Sequence, residues 1–323
     1  METDIDVMLR TCVEPFTLKR RITYGEATVF LGSCFADTIG SRFAEYALPA
    51  ISNPLGVLYN PASVAALVRQ ALAGSETELP LYETEGQWRC WLAGTQIKAA
   101  SAAECRRMVT EQLELLRERL TTARHLFVTL GTNVCYQLRE TGLVVCNCHK
   151  APSTLFEEKR LSTSECAESL SEVVRLVREV NPSVEVVFTV SPYRYLKYSL
   201  HGSQLSKAAL LLAVDEVERR FPETVTYLPI YELFMDELRD YRFYAADMVH
   251  PNEVAVRVVW ERLKGECMTE TLRHYLVEYE PLRRALAHRP LDPDSPQYQS
   301  FIAETEQKRA ALIARYTNNT ETS

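Results

Sequence analysis

Short runs of consecutive apolar residues are the feature that most limits what this chain can fold into. The clearest are TVFL at 28–31, HLFVTLG at 125–131 and VEVVFTVSP at 184–192, and a fifth-strand candidate, TVTYLPI, follows at 224–230. Such continuous runs are typical of strands covered on both faces, as in a parallel sheet. Because amphipathic helical patterns separate them, the sequence predicts a three-layer, doubly wound α/β domain of flavodoxin-like type.

The helical segments between these strands have recognisable start signals. Asn60 is an expected N-cap with Pro61 at the first helical position, and Ser101 with Glu104 has the spacing of a capping box. The segment ISNPLGVLYNPAS at 51–63 is predicted to be irregular up to that cap. Helices are predicted at 35–46, 61–73, 101–122, 164–180, 204–221, 231–238 and 252–266, with a hairpin or two short strands at 81–99.

The end of the chain has a different pattern. Residues 268–323 contain no strand signal, and we expect helices that are broken at HRPLDPDSPQ and followed by a frayed polar tail, YTNNTETS. The sequence therefore predicts two units, an α/β domain over residues 1–267 and a helical C-terminal extension over residues 268–323.

Charge and composition exclude several partners. The chain has 323 residues, 43 acidic and 36 basic, with a formal charge of −7, which argues against nucleic acid or an anionic membrane as the main partner. It has no run of about 18 apolar residues that would predict a spanning helix. Nine cysteines without a recognisable secretory signal favour reduced thiols, and we expect a cytoplasmic protein.

A metal site is not expected. Cys146, Cys148 and His149 lie close together, but zinc knuckles use two ligand pairs and no second pair accompanies them. No cofactor motif was found, so we expect neither a metal nor a cofactor.

Polar residues follow several of the predicted strands. In an open parallel sheet a ligand binds outside the carboxyl ends of the strands, which is where these residues are expected to lie. They are Ser33 and Cys34 after the first strand, Gly131 and Asn133 after the third, Tyr193 and Arg194 after the fourth, and Asp247 and His250 before the last core helix. A serine needs an adjacent base, and a histidine oriented by a carboxylate supplies one. Ser33, His250 and Asp247 are therefore predicted to be catalytic, with the backbone N–H groups of Ser33 and Gly56 and the Asn133 side chain as oxyanion donors.

The residues GSCFA at 32–36 resemble the name-giving motif of the GSCFA family, a branch of the SGNH (GDSL-like) hydrolases. The likeness covers about residues 15–265 and includes NPLGVLYNP at 53–61, FVTLGTNVCY at 127–136, NCHK at 147–150, TVSPYRYLK at 189–197, QLSKAALLLAVDE at 204–216 and RDYRFYAADMVHPNEVAV at 239–256. It implies that Ser33 is the nucleophile, that Gly56, Gly131 and Asn133 match the glycine and G-x-N elements, and that Asp247 and His250 match D-x-x-H. Gly32 and Val134 depart from the pattern, since acidic residues are usual at those positions.

Several residues have an alternative interpretation. In the alternative interpretation, Ser33 serves only as the N-cap of a helix. Cys34 is a rival nucleophile, but we expect its thiol to point inward as a small hydrophobe. Substrate binding is predicted for His149, Arg194 and Tyr193, although a solvated loop explains His149 equally, and ordinary surface packing explains the other two.

The function implied by the resemblance is a serine esterase that acts through an acyl-enzyme on a small or carbohydrate O-acyl ester. An O-acyltransferase acting on a glycan is a close variant. The alternative that is not an enzyme is a catalytically silent module that binds a glycan or a protein. The sequence is compatible with a homodimer.

Overall fold

The computed structural model of the protein describes residues 11–74, 78–290, 292 and 294–320. Its strands are β1 (Thr28–Gly32), β2 (Ala50–Ser52), β3 (Leu81–Thr84), β4 (Gln87–Cys90), β5 (His125–Leu130), β6 (Val134–Leu138), β7 (Val144–Val145), β8 (Phe156–Arg160), β9 (Glu185–Val190) and β10 (Val225–Tyr227). The helices of ten residues or more are α1 (Cys34–Glu45), α2 (Pro61–Ala73), α3 (Ala102–Thr122), α4 (Thr163–Val180), α5 (Ser199–Arg220), α6 (Glu253–Arg262), α7 (Glu270–Ala287) and α8 (Pro296–Thr320).

Five parallel strands form the central sheet, in the order β10-β9-β5-β1-β2. Numbered along the chain, these five strands have the order 2-1-3-4-5, which is the flavodoxin-like arrangement. The direction in which successive strands are added to the sheet reverses between β1 and β5, and at such a switch point the carboxyl ends of the strands leave a crevice for a ligand. The predicted fold class is confirmed.

Both faces of the sheet are covered, because its apolar residues alternate between two clusters. Val29 and Leu31 face a cluster formed with α2, α3, α4 and α5, whereas Phe30 faces one formed with α1, α6, α7 and α8. Phe30 stacks on Phe127 of β5 with ring centroids 5.0 Å apart. Because both faces of the sheet are covered, a ligand of the sheet is expected at the strand ends and their loops.

Several elements differ from the sequence prediction. β2 lies inside the segment 51–63 that was predicted to be irregular, and its three residues are too few for a periodic signal. β6, β7 and β8 form an antiparallel sheet that was not predicted, since exposed charged residues dominate β8. Helix α5 begins at Ser199, five residues before the predicted start. The predicted hairpin is present as β3 and β4.

The C-terminal residues form two helices, α7 and α8, with a break between them, as expected. A cluster of tyrosines joins these helices to the segment that precedes β1. The ring centroid of Tyr24 in that segment lies 4.6 Å from that of Tyr275 and 5.4 Å from that of Tyr316. Helix α8 continues through Thr320, so the polar tail is helical up to that residue, and residues 321–323 lie outside the described part. The boundary at residue 267 stays a prediction.

Within the described residues, no helix is long and apolar enough to cross a membrane.

Candidate active site

The turn between β1 and α1, which we call the β1–α1 corner (Gly32, Ser33 and Cys34), lies at the switch point. Gly32 has φ of +124°, and a Cβ atom there would lie 2.1 Å from the Thr129 carbonyl oxygen. The Ser33 N–H donates to that same oxygen at 2.9 Å. The corner is therefore pressed against β5, which only a glycine at position 32 permits.

Ser33 is the N-cap of α1. Its Oγ accepts a hydrogen bond of 3.4 Å from the Phe35 N–H, and its residue surface is 1% exposed. The capping role that its position predicts is confirmed. Its role as a nucleophile stays a prediction.

Cys34, the next residue, is half-buried. Burial is the main cause that raises the pKa of its thiol, so the expectation that the thiol points at least partly inward agrees with the structure. The serine is nevertheless the more deeply buried of the two residues.

Asp247 and His250 form the pair that their spacing predicts. His250 Nδ1 lies 2.5 Å from Asp247 Oδ2, and Asp247 Oδ1 accepts the N–H groups of Val249 and His250 at 3.0 Å each. These backbone donors, with the imidazole, lower the pKa of Asp247 to about 2. Because a carboxylate only accepts hydrogen bonds, Nδ1 carries the proton and Nε2 is left as the acceptor. Both side chains are partly exposed.

The three predicted oxyanion donors already have protein acceptors. The Ser33 N–H is bound to Thr129, the Gly56 N–H donates to the Asn53 carbonyl at 2.7 Å, and Asn133 Nδ2 donates to the Leu161 carbonyl at 2.6 Å. Asn133 is also buried. The role of these three groups as oxyanion donors stays a prediction.

Tyr193 and Arg194, in the loop after β9, lie against the Asp247–His250 pair. The ring centroids of Tyr193 and His250 are 4.4 Å apart, and the Arg194 N–H donates to the Val249 carbonyl at 3.4 Å. The Arg194 guanidinium lies 5.2 Å from the centre of the Tyr244 ring. The predicted position of these two residues at the rim agrees with the structure.

A groove of about 520 Å³ lies beside this loop, and Arg194, Tyr231 and Tyr244 line part of it. A smaller pocket of about 160 Å³ shares Arg194 and Tyr231 with the groove and reaches Tyr193 and Lys207. The smaller pocket is connected to the Asp247–His250 pair through Tyr193, whose ring contacts that of His250.

Lys207 of α5 is a site residue that sequence reasoning missed. It is 2% exposed, and its Nζ donates to the carbonyl oxygens of Gly131 at 2.5 Å and Ser191 at 2.6 Å. Burial lowers the pKa of Lys207 to about 7. A lysine inside the apolar run KAALLLAV was the available signal, since lysine is rarely buried without partners.

His149 does not lie in a solvated loop, so that alternative is wrong. It is 8% exposed, and its Nε2 lies 3.1 Å from the Cys90 carbonyl oxygen. Its ring centroid lies 5.8 Å from each of the rings of Tyr82 and Trp91, which are stacked on each other. Burial lowers its pKa. These contacts with the β3–β4 hairpin leave little surface for a substrate, and substrate binding by His149 stays a prediction.

No group of three or more histidine, cysteine or acidic side chains suited to a metal ion occurs in the part of the chain that the structure describes.

Comparison with known proteins gives the following results. The model of the GSCFA family matches residues 27–263, and that of the GSCFA domain protein, C-terminal domain, matches residues 279–321. No curated protein matches the chain. One similar solved structure is an acetyl xylan esterase from the rumen bacterium Butyrivibrio proteoclasticus, with 12% sequence identity, a TM-score of 0.35, and coverage of 80% of this chain and 65% of that chain. Since the family model spans more than half of its residues, the chain belongs to the GSCFA family.

Proposed function

We propose that the protein is a carboxylic ester hydrolase that acts through an acyl-enzyme, with His250 as the base and Asp247 as the group that orients it. The observation that carries this proposal is the 2.5 Å contact between His250 Nδ1 and Asp247 Oδ2. A carboxylate in this position fixes the tautomer and stabilises the imidazolium that forms when Nε2 takes a proton.

The arrangement around the pair supports a catalytic role over a purely structural one. A turn that only capped α6 would need no histidine, since Asn252 already caps that helix through the Ala255 N–H at 3.1 Å. Asp247 is held by two backbone donors, so its carboxylate is fixed before any substrate arrives. Preorganisation of this kind is what a general base requires.

The nucleophile comes from the β1–α1 corner, where Ser33 is the residue that the sequence predicts. The nucleophile attacks the ester carbonyl, His250 takes its proton, and the leaving alcohol takes the proton back. Water then hydrolyses the acyl-enzyme with His250 again as base.

The groove beside Arg194 is consistent with a small or carbohydrate O-acyl ester. The rings of Tyr231 and Tyr244 offer aromatic faces and hydroxyl groups, and Arg194 offers donors for oxygen atoms of a substrate. A glycan O-acyltransferase would form the same acyl-enzyme and pass the acyl group to a sugar hydroxyl. A binding module would use the groove without turnover.

The test is the hydrolysis of p-nitrophenyl acetate by the wild type, Asp247→Asn and His250→Ala. We expect kcat to fall by about 10²–10⁴-fold in both variants, as for loss of a base or of the group that orients it. Asp215→Asn, which alters an exposed aspartate paired with Arg219, is the matched control. A His250→Ala variant with the wild-type rate would exclude the proposed base, and a wild type without turnover of any ester would favour the binding module.

A further inference from the structure

We infer that Cys34, and not Ser33, is the nucleophile of the proposed reaction, so that the acyl group is carried as a thioester. This inference rests on the proposed function and specifies which atom at the β1–α1 corner attacks the substrate. Four features of the described residues carry it: exposure, hydrogen bonding, the neighbours of the thiol, and the position of the thiol on α1.

Exposure and hydrogen bonding separate the two candidates. Ser33 is 1% exposed, whereas Cys34 is half-buried. The Ser33 hydroxyl accepts from the Phe35 N–H as a cap, and the Ser33 N–H is bound to Thr129 of β5. Ser33 is therefore covered and engaged as a cap, whereas Cys34 keeps part of its residue surface exposed.

The neighbours of the thiol are the residues of the rim. Burial is the main cause that raises the pKa values of Tyr59, Tyr193 and Tyr195, and the charge of Cys34 contributes to each. The Leu58 N–H donates to the Gly32 carbonyl oxygen at 2.7 Å, which holds the neighbouring Tyr59 beside the corner. From Tyr59 a row of rings leads to the base, with centroid distances of 6.3 Å to Tyr195, 4.7 Å from Tyr195 to Tyr193 and 4.4 Å from Tyr193 to His250. This row of rings connects the corner that carries the thiol with the Asp247–His250 pair.

Position on α1 also favours the thiol. Cys34 is the first residue of a twelve-residue helix, and the N–H groups of Cys34 and Phe35 lower the pKa of its own thiol. The Lys207 ammonium acts in the same direction, but burial, followed by the Asp37 carboxylate, outweighs these effects and raises the pKa of Cys34. The sulfur is therefore a thiol at neutral pH, so it needs a base, and the helix N-terminus and Lys207 stabilise the negative charge during the reaction.

Each step of the reaction balances. His250 Nε2 takes the Sγ proton as sulfur forms a bond to the carbonyl carbon. The tetrahedral oxyanion collapses, the carbon–oxygen bond to the alcohol breaks, and the alcohol leaves with the proton from the imidazolium. His250 then takes a proton from water as the hydroxide adds to the thioester carbon. The carbon–sulfur bond breaks, the carboxylic acid leaves, and the thiol recovers its proton.

The experiment compares p-nitrophenyl acetate turnover by Cys34→Ala, Ser33→Ala and the wild type, each checked for folding by circular dichroism. We expect Cys34→Ala to lose about 10³-fold or more in kcat, as for removal of a nucleophile. Ser33→Ala should stay within about tenfold of the wild type, because a lost cap affects stability rather than chemistry. The reverse result would overturn the inference and leave the proposed function intact, whereas an unaffected His250→Ala variant would overturn the proposed function itself.

A second measurement on the wild-type protein does not depend on the folding of a variant. Iodoacetamide is added with and without p-nitrophenyl acetate, and the modified cysteines are located by peptide mass spectrometry, with exposed Cys12 and half-buried Cys148 as internal references. We expect substrate to protect Cys34 selectively and neutral hydroxylamine to release the trapped acyl group as it does from a thioester. Acylation found on Ser33, or equal protection of Cys12 and Cys148, would overturn the inference.

Discussion

Gly32 and Asn53 are joined by a hydrogen bond of 2.8 Å from the Gly32 N–H to Asn53 Oδ1, which ties the β1–α1 corner to the loop after β2. The same amide donates from Nδ2 to Asp37 Oδ1 at 2.8 Å. Asn53 is buried and has φ of +39°, a conformation that asparagine tolerates better than most residues. One side chain thus holds both the strand end and the first turn of α1.

Replacing Asn53 by alanine should loosen the corner. Asn53→Ala leaves the buried Gly32 N–H and the half-buried Asp37 without these bonds, and we expect the free energy of unfolding to fall by about 1–3 kcal/mol. Urea unfolding measures the change, and Asn53→Asp, which keeps the acceptor but faces Asp37 with a second carboxylate, is the companion variant. Stability within about 0.5 kcal/mol of the wild type, the usual range of surface substitutions, would show that the bond does not hold the corner.

A side chain at Gly32 should not be tolerated. In Gly32→Ala the Cβ atom would lie 2.1 Å from the Thr129 carbonyl oxygen at φ of +124°, and we expect a loss of about 3 kcal/mol or more, or failure to fold. Gly265→Ala is the control, because its Cβ meets nothing within 4 Å. Thermal unfolding of the two variants should differ widely, and equal melting temperatures would contradict the close approach of the corner to β5.

Lys207 should make stability depend on pH. Burial lowers its pKa in the folded protein to about 7, from about 10.5 for an unperturbed lysine. Between these two values the unfolded chain binds more protons than the folded one, so the stability contributed by this residue rises with pH, by on the order of 1 kcal/mol per pH unit. Urea unfolding between pH 7 and 10.5 gives the free energies of unfolding of the wild type and of Lys207→Met. We expect the stability of the wild type relative to the variant to increase as the pH rises. A difference that is independent of pH would mean that Lys207 stays charged throughout.

The tyrosine cluster of the C-terminal helices should contribute to the stability of the whole chain. Tyr316 is 8% exposed, and its ring centroid lies 5.1 Å from that of Tyr275. We expect Tyr316→Ala to cost about 3–5 kcal/mol, as for other large aromatic deletions. Tyr241→Ala, at a site that is 69% exposed, is the control in thermal unfolding. An unchanged melting temperature in Tyr316→Ala would show that α8 does not stabilise the sheet domain.

The fold and the Asp247–His250 pair were predictable because both depend on local patterns. Buried strands appear as uninterrupted apolar runs, and three residues of separation let one turn bring a carboxylate to an imidazole. The short strands β2 and β7 carry too few residues for any periodicity to appear.

The remaining parts of the site depend on contacts that are distant in sequence. Lys207 meets Gly131 across 76 positions, and Asn53 meets Gly32 across 21. No local pattern encodes such pairs. Ser33 and Cys34 are adjacent in sequence, yet successive residues entering a helix point in directions about 100° apart, so only the structure distinguishes the buried side chain from the half-buried one.

The central claim is that an acyl-enzyme forms with the help of His250, and the most direct measurement is intact-protein mass spectrometry. The wild type and His250→Ala are mixed with p-nitrophenyl acetate and quenched in acid within the first turnover. We predict one acetyl group per chain in the wild type and almost none in His250→Ala. Equal acetylation of the two proteins, or turnover by the wild type without any acetylated protein, would contradict the account.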